Sequence, residues 1–467
     1  MPDKPRVGLI LLRAEWFDRV VALPALADGM RTDAEEIVRQ LSQDVSVDFT
    51  WVVSSAESLE RAITGIAAAS VDLFILAFQV WAEDVYLGPL TRAINGRPLA
   101  VWCYLPWQTP PRPLPFGGVL RASGPVGTFE GLGTLRNLNV NYLFTWGAPE
   151  SAHTRQELLS YARAGRAWHL LRRARVGLLP GRNEQMQTTF VDEFRLRHDI
   201  GPEVLPLSVA ELKLVADGLP QAEVDAFEQE LRANYRIESV SRETLAWAAR
   251  CSLGLARLAQ SRALDLLSLN DTSDELHATL GLRPCLYAEF LRQSGIRIGL
   301  EGDLGAATAL LAQSAFTDGS LMFTEFWYWD EEQNTLVGGH AGLQDPSLAL
   351  PGAAWIGMDY EYAQTDRFAG AHFHFVARPG EVTLLQIRGT PEGWQAAVVS
   401  GEALPSEPRL EGYPHAVVRL APPLDKFLRS MAKVGSTQHW IMAYGNTAPE
   451  ARALCRLLRI PLEDMAA

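Results

Sequence analysis

The first third of the chain alternates short apolar runs with segments of helical apolar spacing, which restricts the possible folds more than any other feature. The runs predicted as strands are Val7–Leu12, Val45–Val53, Val71–Phe78 and Leu99–Tyr104. The segments predicted as helices are Asp33–Gln43 and Ala56–Ala69. Strands that alternate with helices in this order form a parallel sheet covered by helices on both faces.

A second alternating region begins at Arg175-Val176-Gly177-Leu178-Leu179. Its predicted helices are Thr188–Arg197, Ala222–Ala233 and Glu243–Arg262, followed by a helix, a short strand (Ile296–Leu300) and another helix within Leu282–Leu311. No GxGxxG follows the first strand, so we do not expect a dinucleotide site.

The pattern changes after about Asp318 to short β-like runs separated by Gly, Pro and Asn turns. These runs predict an antiparallel sheet or small barrel, and Thr447–Leu458 predicts a closing helix. The expected fold class is therefore α/β, with two Rossmann-like parallel-sheet domains followed by a β-rich C-terminal domain. The predicted domains are residues 1–170 (N-terminal α/β), 171–318 (central α/β) and 319–467 (β-rich).

Charge and cysteine content narrow the range of functions. The 467 residues include 42 Lys and Arg against 55 Asp and Glu, a net charge of −13. Proteins that bind nucleic acids or anionic membranes need a basic surface, so this charge argues against both kinds of partner. The four cysteines form no CxxC pair, and no apolar run approaches the roughly 20 residues that span a bilayer. We expect a cytoplasmic protein with a small sugar or other small polar ligand, and neither a nucleic acid nor a membrane as partner.

Four separated residues are candidates for a metal site. Glu301 follows a predicted strand, Glu325 lies within a β-like run, His340 follows two glycines, and His439 precedes a Trp. Two carboxylates and two imidazoles are suitable ligands for a divalent metal such as Mn²⁺.

Each of these residues also has an ordinary local explanation. Glu301 is equally well explained as a carboxylate at a helix N-terminus, and Glu325 as a solvent-facing strand residue. His340 and His439, considered alone, fit exposed loop histidines better than ligands.

Other patterns compete with this quartet. His372 and His374 lie on one side of a strand, but the lack of a third ligand at short spacing favours a structural role. Asp303 either joins the metal site or caps the helix that follows it. Cys285 fits a core residue better than a nucleophile. The glycine-rich segment 124–133 is either a ligand loop or, more commonly for glycine, a set of turns.

The C-terminal two fifths of the chain resembles the L-arabinose isomerase/L-fucose isomerase superfamily, nearer the arabinose side. The resemblance rests on Leu300-Glu301-Gly302-Asp303, Phe323-Thr324-Glu325-Phe326, Gly338-Gly339-His340-Ala341 with Pro346-Ser347-Leu348-Ala349, and Gln438-His439 with the closing helix.

The resemblance implies a metal-dependent aldose–ketose isomerase, an intramolecular oxidoreductase that works through a cis-enediol intermediate. It implies Mn²⁺, or another divalent metal such as Co²⁺ or Mg²⁺, held by residues matching Glu301, Glu325, His340 and His439. Glu301 and Glu325 would also be the catalytic carboxylates. The implied partners are a small sugar substrate and further copies of the chain, as a hexamer or trimer.

The first domain departs from the family pattern. Arabinose isomerases carry Gln-Ser/Thr-Ala-His-Gly there, with a His that helps to bind and open the sugar ring. The matching region here, Gly127–Gly133, contains no His, although Glu130 lies within it. The alternative interpretation is therefore a catalytically altered sugar-binding or regulatory paralogue of the same fold.

Overall fold

The computed structural model describes residues 4–17, 24–362 and 370–466. The chain divides into two compact units, Met1–His169 and Leu170–Ala467. The α-helices, in chain order, are α1 Pro24–Leu41, α2 Ala56–Ala68, α3 Leu87–Ile94, α4 Phe116–Arg121, α5 Gly124–Asn137, α6 Ala152–Arg173, α7 Glu193–Arg195, α8 Val209–Gly218, α9 Gln221–Asn234, α10 Arg242–Ser261, α11 Asp274–Leu280, α12 Glu289–Ser294, α13 Leu304–Phe316, α14 Leu424–Val434 and α15 Ala448–Leu458. The strands are β1 Arg6–Leu12, β2 Ser46–Val53, β3 Leu73–Phe78, β4 Leu99–Tyr104, β5 Leu143–Gly147, β6 Arg175–Leu179, β7 Glu203–Pro206, β8 Arg236–Ile237, β9 Leu266–Leu269, β10 Arg297–Leu300, β11 Met322–Asp330, β12 Thr335–Gly339, β13 Trp355–Met358, β14 Ala371–His374, β15 Gly380–Thr390, β16 Gly393–Leu404, β17 His415–Leu420, β18 Trp440–Tyr444 and β19 Leu462–Asp464.

The first unit is built on a five-stranded parallel sheet in the order β2-β1-β3-β4-β5. The four predicted strands and two predicted helices of this unit are confirmed, and α1 begins earlier than predicted, at Pro24. Strands β1, β3 and β4 are buried almost completely, as expected of parallel strands covered on both faces.

The second unit begins with a four-stranded parallel sheet in the order β10-β9-β6-β7. The predicted strand before Glu301 is β10, and two of the three predicted long helices correspond to α9 and α10. The prediction of one helix over Thr188–Arg197 was wrong. That region holds a 3₁₀ turn at Gln187–Thr189, the single turn α7, and a π turn at Leu196–Ile200.

The C-terminal sheet is largely antiparallel and has the order β15-β18-β11-β12-β17-β16-β19. Because β15 also pairs with β16, the strands curl into a near-complete ring. The fold class predicted from the sequence is therefore confirmed. The three domain boundaries stay a prediction. None of the described helices has the length and apolar character needed to cross a membrane.

The glycine-rich segment 124–133 is helical, so its interpretation as a ligand loop or a set of turns was wrong. Its glycines serve close packing within the first unit. A Cβ at Gly127 or Gly131 would lie 2.6 Å from the Phe78 ring, and one at Gly124 would lie 2.5 Å from the Phe78 carbonyl oxygen. Small residues let α5 lie directly against β3, which outweighs the low helix propensity of glycine.

Helix α13, which begins directly after Glu301-Gly302-Asp303, is buried on nearly every side. Its residues contact β10 of the parallel sheet and β15 and β18 of the ring. Gly305 lies in its first turn, where a Cβ would be 2.6 Å from the carbonyl oxygen of Ile387 in β15. Ile387 pairs with Ala396 of β16, and the preceding residues Val382–Leu385 pair with β18 as well, which restrains the backbone of β15.

We predict that Gly305→Ala destabilises the second unit by about 1–3 kcal/mol, the usual effect of overfilling a packed core. Gly218→Ala is the matched control. Gly218 ends α8 with open space around its Cβ position, and alanine there should leave stability unchanged or raise it by up to about 1 kcal/mol. Urea denaturation followed by circular dichroism measures both, and equal midpoints for the two variants would contradict the packing argument.

Candidate metal centre

Strand register brings three of the four candidate residues to one end of the ring. Glu325 in β11 lies opposite Gly339 in β12, the residue before His340. On the other side of β11, Thr324 lies opposite Trp440 in β18, the residue after His439. Glu301 approaches from the carboxyl end of β10, where parallel sheets usually bind ligands.

Glu301, His340 and His439 form a buried group. One side-chain ligand atom from each lies within 4.8 Å of the other two. Glu301 Oε2 is 3.0 Å from His439 Nε2, and Glu301 Oε1 is 3.7 Å from His340 Nε2. All three side chains are less than a tenth exposed. This arrangement can hold a divalent cation.

The ligand atoms themselves indicate that a cation fits. Glu301 Oε2, His340 Nε2 and His439 Nε2 are buried and form no hydrogen bond of acceptable geometry with any described residue. Buried polar atoms normally have a partner, because leaving one unpaired is costly. Three such atoms converging on one point are well matched to a single metal ion.

Both imidazoles are held in the tautomer that metal binding needs. His340 Nδ1 lies 2.7 Å from the carbonyl oxygen of Ala341, and His439 Nδ1 lies 2.8 Å from Asp303 Oδ2. Because both partners can only accept, each Nδ1 carries a hydrogen. Nε2 is therefore the nitrogen of each imidazole that would bind a metal ion, which would take the place of any proton there.

The backbone at Glu301 is in an unusual conformation. Glu301 has φ +56° and Gly302 has φ +64°, so two successive residues are left-handed. This conformation is unfavourable for a residue with a Cβ and persists only where its surroundings enforce it. A Cβ at Gly302 would lie 2.7 Å from the carbonyl oxygen of Gly181, which explains the glycine there.

Neighbouring side chains fix the positions of the two histidines. The ring of Phe323 packs against His340 and His439, with centroid distances of 5.0 and 4.8 Å. Gln386 in β15 donates to the carbonyl oxygens of His439 and Thr437 at 2.7 and 2.9 Å. The segment before β18 is thereby anchored to the ring.

The charges of the group favour a cation. Burial alone would raise the pKa of Glu301, but His439, His340 and Arg283 outweigh burial and hold the pKa below its ordinary value. Burial lowers the pKa of His439, whereas Asp303 and Glu301 act more strongly and raise it to about 10. The carboxylates therefore stabilise positive charge at His439 Nε2, the position that a metal ion would occupy.

Glu325 lies beside this group but outside its tightest part. Glu325 is half-buried. Among the described residues, only Glu301, His340 and His439 form a group whose ligand atoms all lie within 4.8 Å of one another. Burial raises the pKa of Glu325 and Glu301 adds to this, while His340 and His439 oppose it. Its role as a fourth ligand or as a catalytic carboxylate stays a prediction.

The structure distinguishes between the alternative interpretations that the sequence left open for several residues. His340 and His439 are buried rather than exposed loop residues, because pairing of β11 with β12 and β18 encloses them. Asp303 serves two purposes, since its Oδ1 caps α13 by accepting from the N–H of Ala306 while its Oδ2 accepts from His439. Cys285 is buried, as expected of a core residue.

The competing HxH pair is also buried. His372 and His374 lie in β14, and neither belongs to the group around Glu301. In the first unit, Glu130 accepts a hydrogen bond from Trp81 Nε1 at 2.8 Å.

Sequence reasoning missed Asp271, which supports the site from the neighbouring strand. Its Oδ1 accepts the backbone N–H of Glu301 at 3.1 Å. The available signal was the leucine-rich segment Leu266–Leu269 followed by Asn270-Asp271, which is typical of a short buried parallel strand with polar residues at its carboxyl end.

Comparison with known proteins finds distant similarity to sugar isomerases. No protein-family model matches the chain. A sulfoquinovose isomerase from Priestia aryabhattai is 23% identical over 414 residues, which cover 88% of this chain and 89% of that protein. A sulfoquinovose isomerase from Alkalicoccus urumqiensis is 21% identical over 460 residues, covering 96% and 99%. An L-arabinose isomerase from Yersinia enterocolitica is 21% identical over 348 residues, covering 70% and 68%.

The chain is a distant homologue of these sugar isomerases. The arabinose-isomerase-like resemblance of the C-terminal motifs is confirmed, and the similarity extends well beyond those motifs into the first unit.

We predict that Asp303→Asn weakens divalent metal binding by about 10–100-fold with little loss of stability. Asparagine can still cap α13 through its carbonyl oxygen, but its amide then faces His439 Nδ1 as a donor. The imidazole is forced to carry its hydrogen on Nε2, the atom that should bind the metal. Isothermal titration with Mn²⁺ and thermal unfolding measure the two effects, and unchanged Mn²⁺ affinity would contradict the tautomer argument.

Proposed function

We propose that the protein is a metal-dependent aldose–ketose isomerase that acts on an open-chain sugar through a cis-enediol intermediate. The observation that carries the proposal is the buried Glu301–His340–His439 group, with its three unpaired ligand atoms, in a distant homologue of sugar isomerases. A sugar-binding protein without catalysis has little use for such a group.

The residues present suit Mn²⁺, with Co²⁺ and Mg²⁺ as alternatives. Glu301, His340 and His439 would hold the ion, and Glu325 would be a further protein ligand. A mixed oxygen and nitrogen donor set is compatible with all three ions, and imidazole favours Mn²⁺ and Co²⁺ over Mg²⁺. When bound, the ion supplies positive charge that stabilises the sugar oxygens as the enediol forms.

The two carboxylates divide the proton transfers between them. Isomerisation moves one proton from C2 to C1 and another from the C2 hydroxyl to the C1 oxygen. Glu325 is the less constrained carboxylate, and its raised pKa suits a group that accepts and returns the carbon-bound proton. Glu301, which the two histidines hold in its charged form, moves the hydroxyl proton.

The apolar surroundings assist this chemistry. The ring of Phe323 packs against both histidines, and all three residues are buried. Exclusion of water strengthens electrostatic interactions at the site and protects the enediol from side reactions.

The first prediction is metal-dependent formation of a ketose from at least one aldose. The panel should include neutral aldopentoses, aldohexoses and deoxysugars, together with the sulfonated hexose sulfoquinovose, because the relatives include isomerases of both sulfoquinovose and L-arabinose. Dialysis against a chelator should abolish turnover and Mn²⁺ should restore it. No turnover across this panel with Mn²⁺ or Co²⁺, accompanied by sugar binding, would instead support a non-catalytic sugar-binding paralogue.

The second prediction separates the roles of the two glutamates. Glu325→Gln should lower kcat by about 10²–10⁴-fold and retain most Mn²⁺ affinity, because Glu325 lies outside the tightest ligand group. Glu301→Gln should lose both turnover and Mn²⁺ binding. Steady-state kinetics and Mn²⁺ titration measure these effects.

Glu331→Gln is the control for the second prediction. Glu331 is exposed at the turn between β11 and β12, so neither measurement should change. If Glu325→Gln keeps full turnover, the assignment of Glu325 as the proton-transferring carboxylate is wrong.

A further inference from the structure

Behind the metal ligands lies a buried ionic network centred on Arg283. The Arg283 side chain is 2% exposed. Its Nε and Nη2 form a fork on the Asp359 carboxylate at 2.6 and 2.8 Å. Its Nη1 contacts Asp271 Oδ2 at 3.3 Å and Glu361 Oε2 at 2.5 Å. One guanidinium thus connects two buried carboxylates, Asp271 and Asp359, and the exposed carboxylate of Glu361.

Asp271 links this network to the candidate metal site. It lies just after β9, beside β10, and is completely buried. While Oδ2 faces Arg283, Oδ1 accepts the backbone N–H of Glu301 at 3.1 Å. Both oxygens of the carboxylate are therefore occupied, one by a side chain and the other by the backbone of a candidate ligand.

Asp271 hydrogen-bonds to the backbone of Glu301 at a residue whose conformation is unfavourable. Glu301 has φ +56°, a conformation that needs support from outside its own segment. The hydrogen bond from its N–H orients the peptide unit from which the Glu301 side chain projects. A change in that peptide unit would redirect the carboxylate away from His340 and His439.

Close packing leaves Asp271 little freedom to move. Gly342 has φ +88°, and a Cβ there would lie 2.8 Å from Asp271 Oδ2. Arg283 in turn is fixed by its fork on Asp359 and by the ring of Tyr362, 4.9 Å from the guanidinium carbon. The chain of contacts from Asp359 through Arg283 and Asp271 to Glu301 is thus rigid at each step.

We propose that Asp271, held by Arg283, is a positioning residue that fixes Glu301 for cation binding. The inference rests on the proposed function in one respect, that a divalent cation binds at Glu301. It requires neither a particular sugar nor turnover.

Asp271→Asn tests the positioning role directly. Asn has one acceptor and one donor group, whereas Asp271 accepts from donors on both sides. Either orientation of the amide places its NH₂ against the Glu301 N–H or against Arg283. We expect the Mn²⁺ dissociation constant of the full-length chain to rise by about 10–100-fold, as for other groups that orient metal ligands.

Asp345→Asn is the matched control. Asp345 is also buried, pairs with Arg292 at 3.1 Å and accepts a backbone N–H, that of Ser347, at 2.9 Å. It has no contact with Glu301, His340 or His439 among its described hydrogen bonds and ion pairs. Its substitution should lower the melting temperature but change the Mn²⁺ dissociation constant by less than about threefold.

The measurements are Mn²⁺ titration calorimetry, the visible spectrum of Co²⁺ added to the metal-free chain, and thermal unfolding. An altered Co²⁺ spectrum in the Asp271 variant only, with weaker Mn²⁺ binding, would support the proposal. Unchanged Mn²⁺ affinity in the Asp271 variant, or equal weakening in both variants, would overturn it.

Arg283→Lys provides a second route if Asp271→Asn does not fold. Lysine keeps the positive charge but cannot form the fork on Asp359 while also contacting Asp271. We expect weaker Mn²⁺ binding in the same direction, and unchanged binding would overturn the proposal. Absence of Mn²⁺ binding by the wild-type chain would overturn both proposals, whereas Mn²⁺ binding without sugar turnover would contradict the proposed function alone.

Discussion

The hydrogen bond between His439 Nδ1 and Asp303 Oδ2 is the interaction on which the candidate site most depends. It joins the N-terminus of helix α13 to the beginning of β18 across 136 positions of sequence, at 2.8 Å and fully buried. The same carboxylate begins α13, so the helix that follows Glu301 and the strand that follows His439 share one anchor. The orientation of the imidazole and the placement of the helix are therefore set together.

Much of the fold could be predicted from the sequence because its patterns are local. The strands β1 and β4 are short apolar runs and were predicted to within one residue. Helix α10 was predicted, from its richness in Ala, Leu and Arg, to within one residue at each end. The α5 segment could not be predicted, because its glycines pack against β3, and this contact depends on residues about fifty positions away. The short strand β9 was missed because four residues carry too little periodicity.

The residues of the candidate site were predicted from their resemblance to family motifs, not from the apolar pattern of the residues around them. Each of Glu301, His340 and His439 had an ordinary local explanation, and burial of the two histidines follows from long-range strand pairing that no local pattern encodes. Asp271 lies outside these motifs, and Phe323 lies within the Glu325 motif, but its contacts with the two histidines were not predicted. Their contribution is visible only when β9, β10 and β11 are folded beside one another.

The near-closed ring has a consequence for how such a protein can change during evolution. In β11, β12 and β18 the pairing partners on both sides fix the register, so a slip of one residue would turn Glu325 or a strand-end histidine away from the site. An insertion or deletion that changes the register at Glu325 or at the strand ends next to His340 and His439 would therefore disturb the site. Changes in the length of the connecting loops would leave this register intact. New sugar preferences would accordingly arise in the loops, while the strands preserve the chemistry.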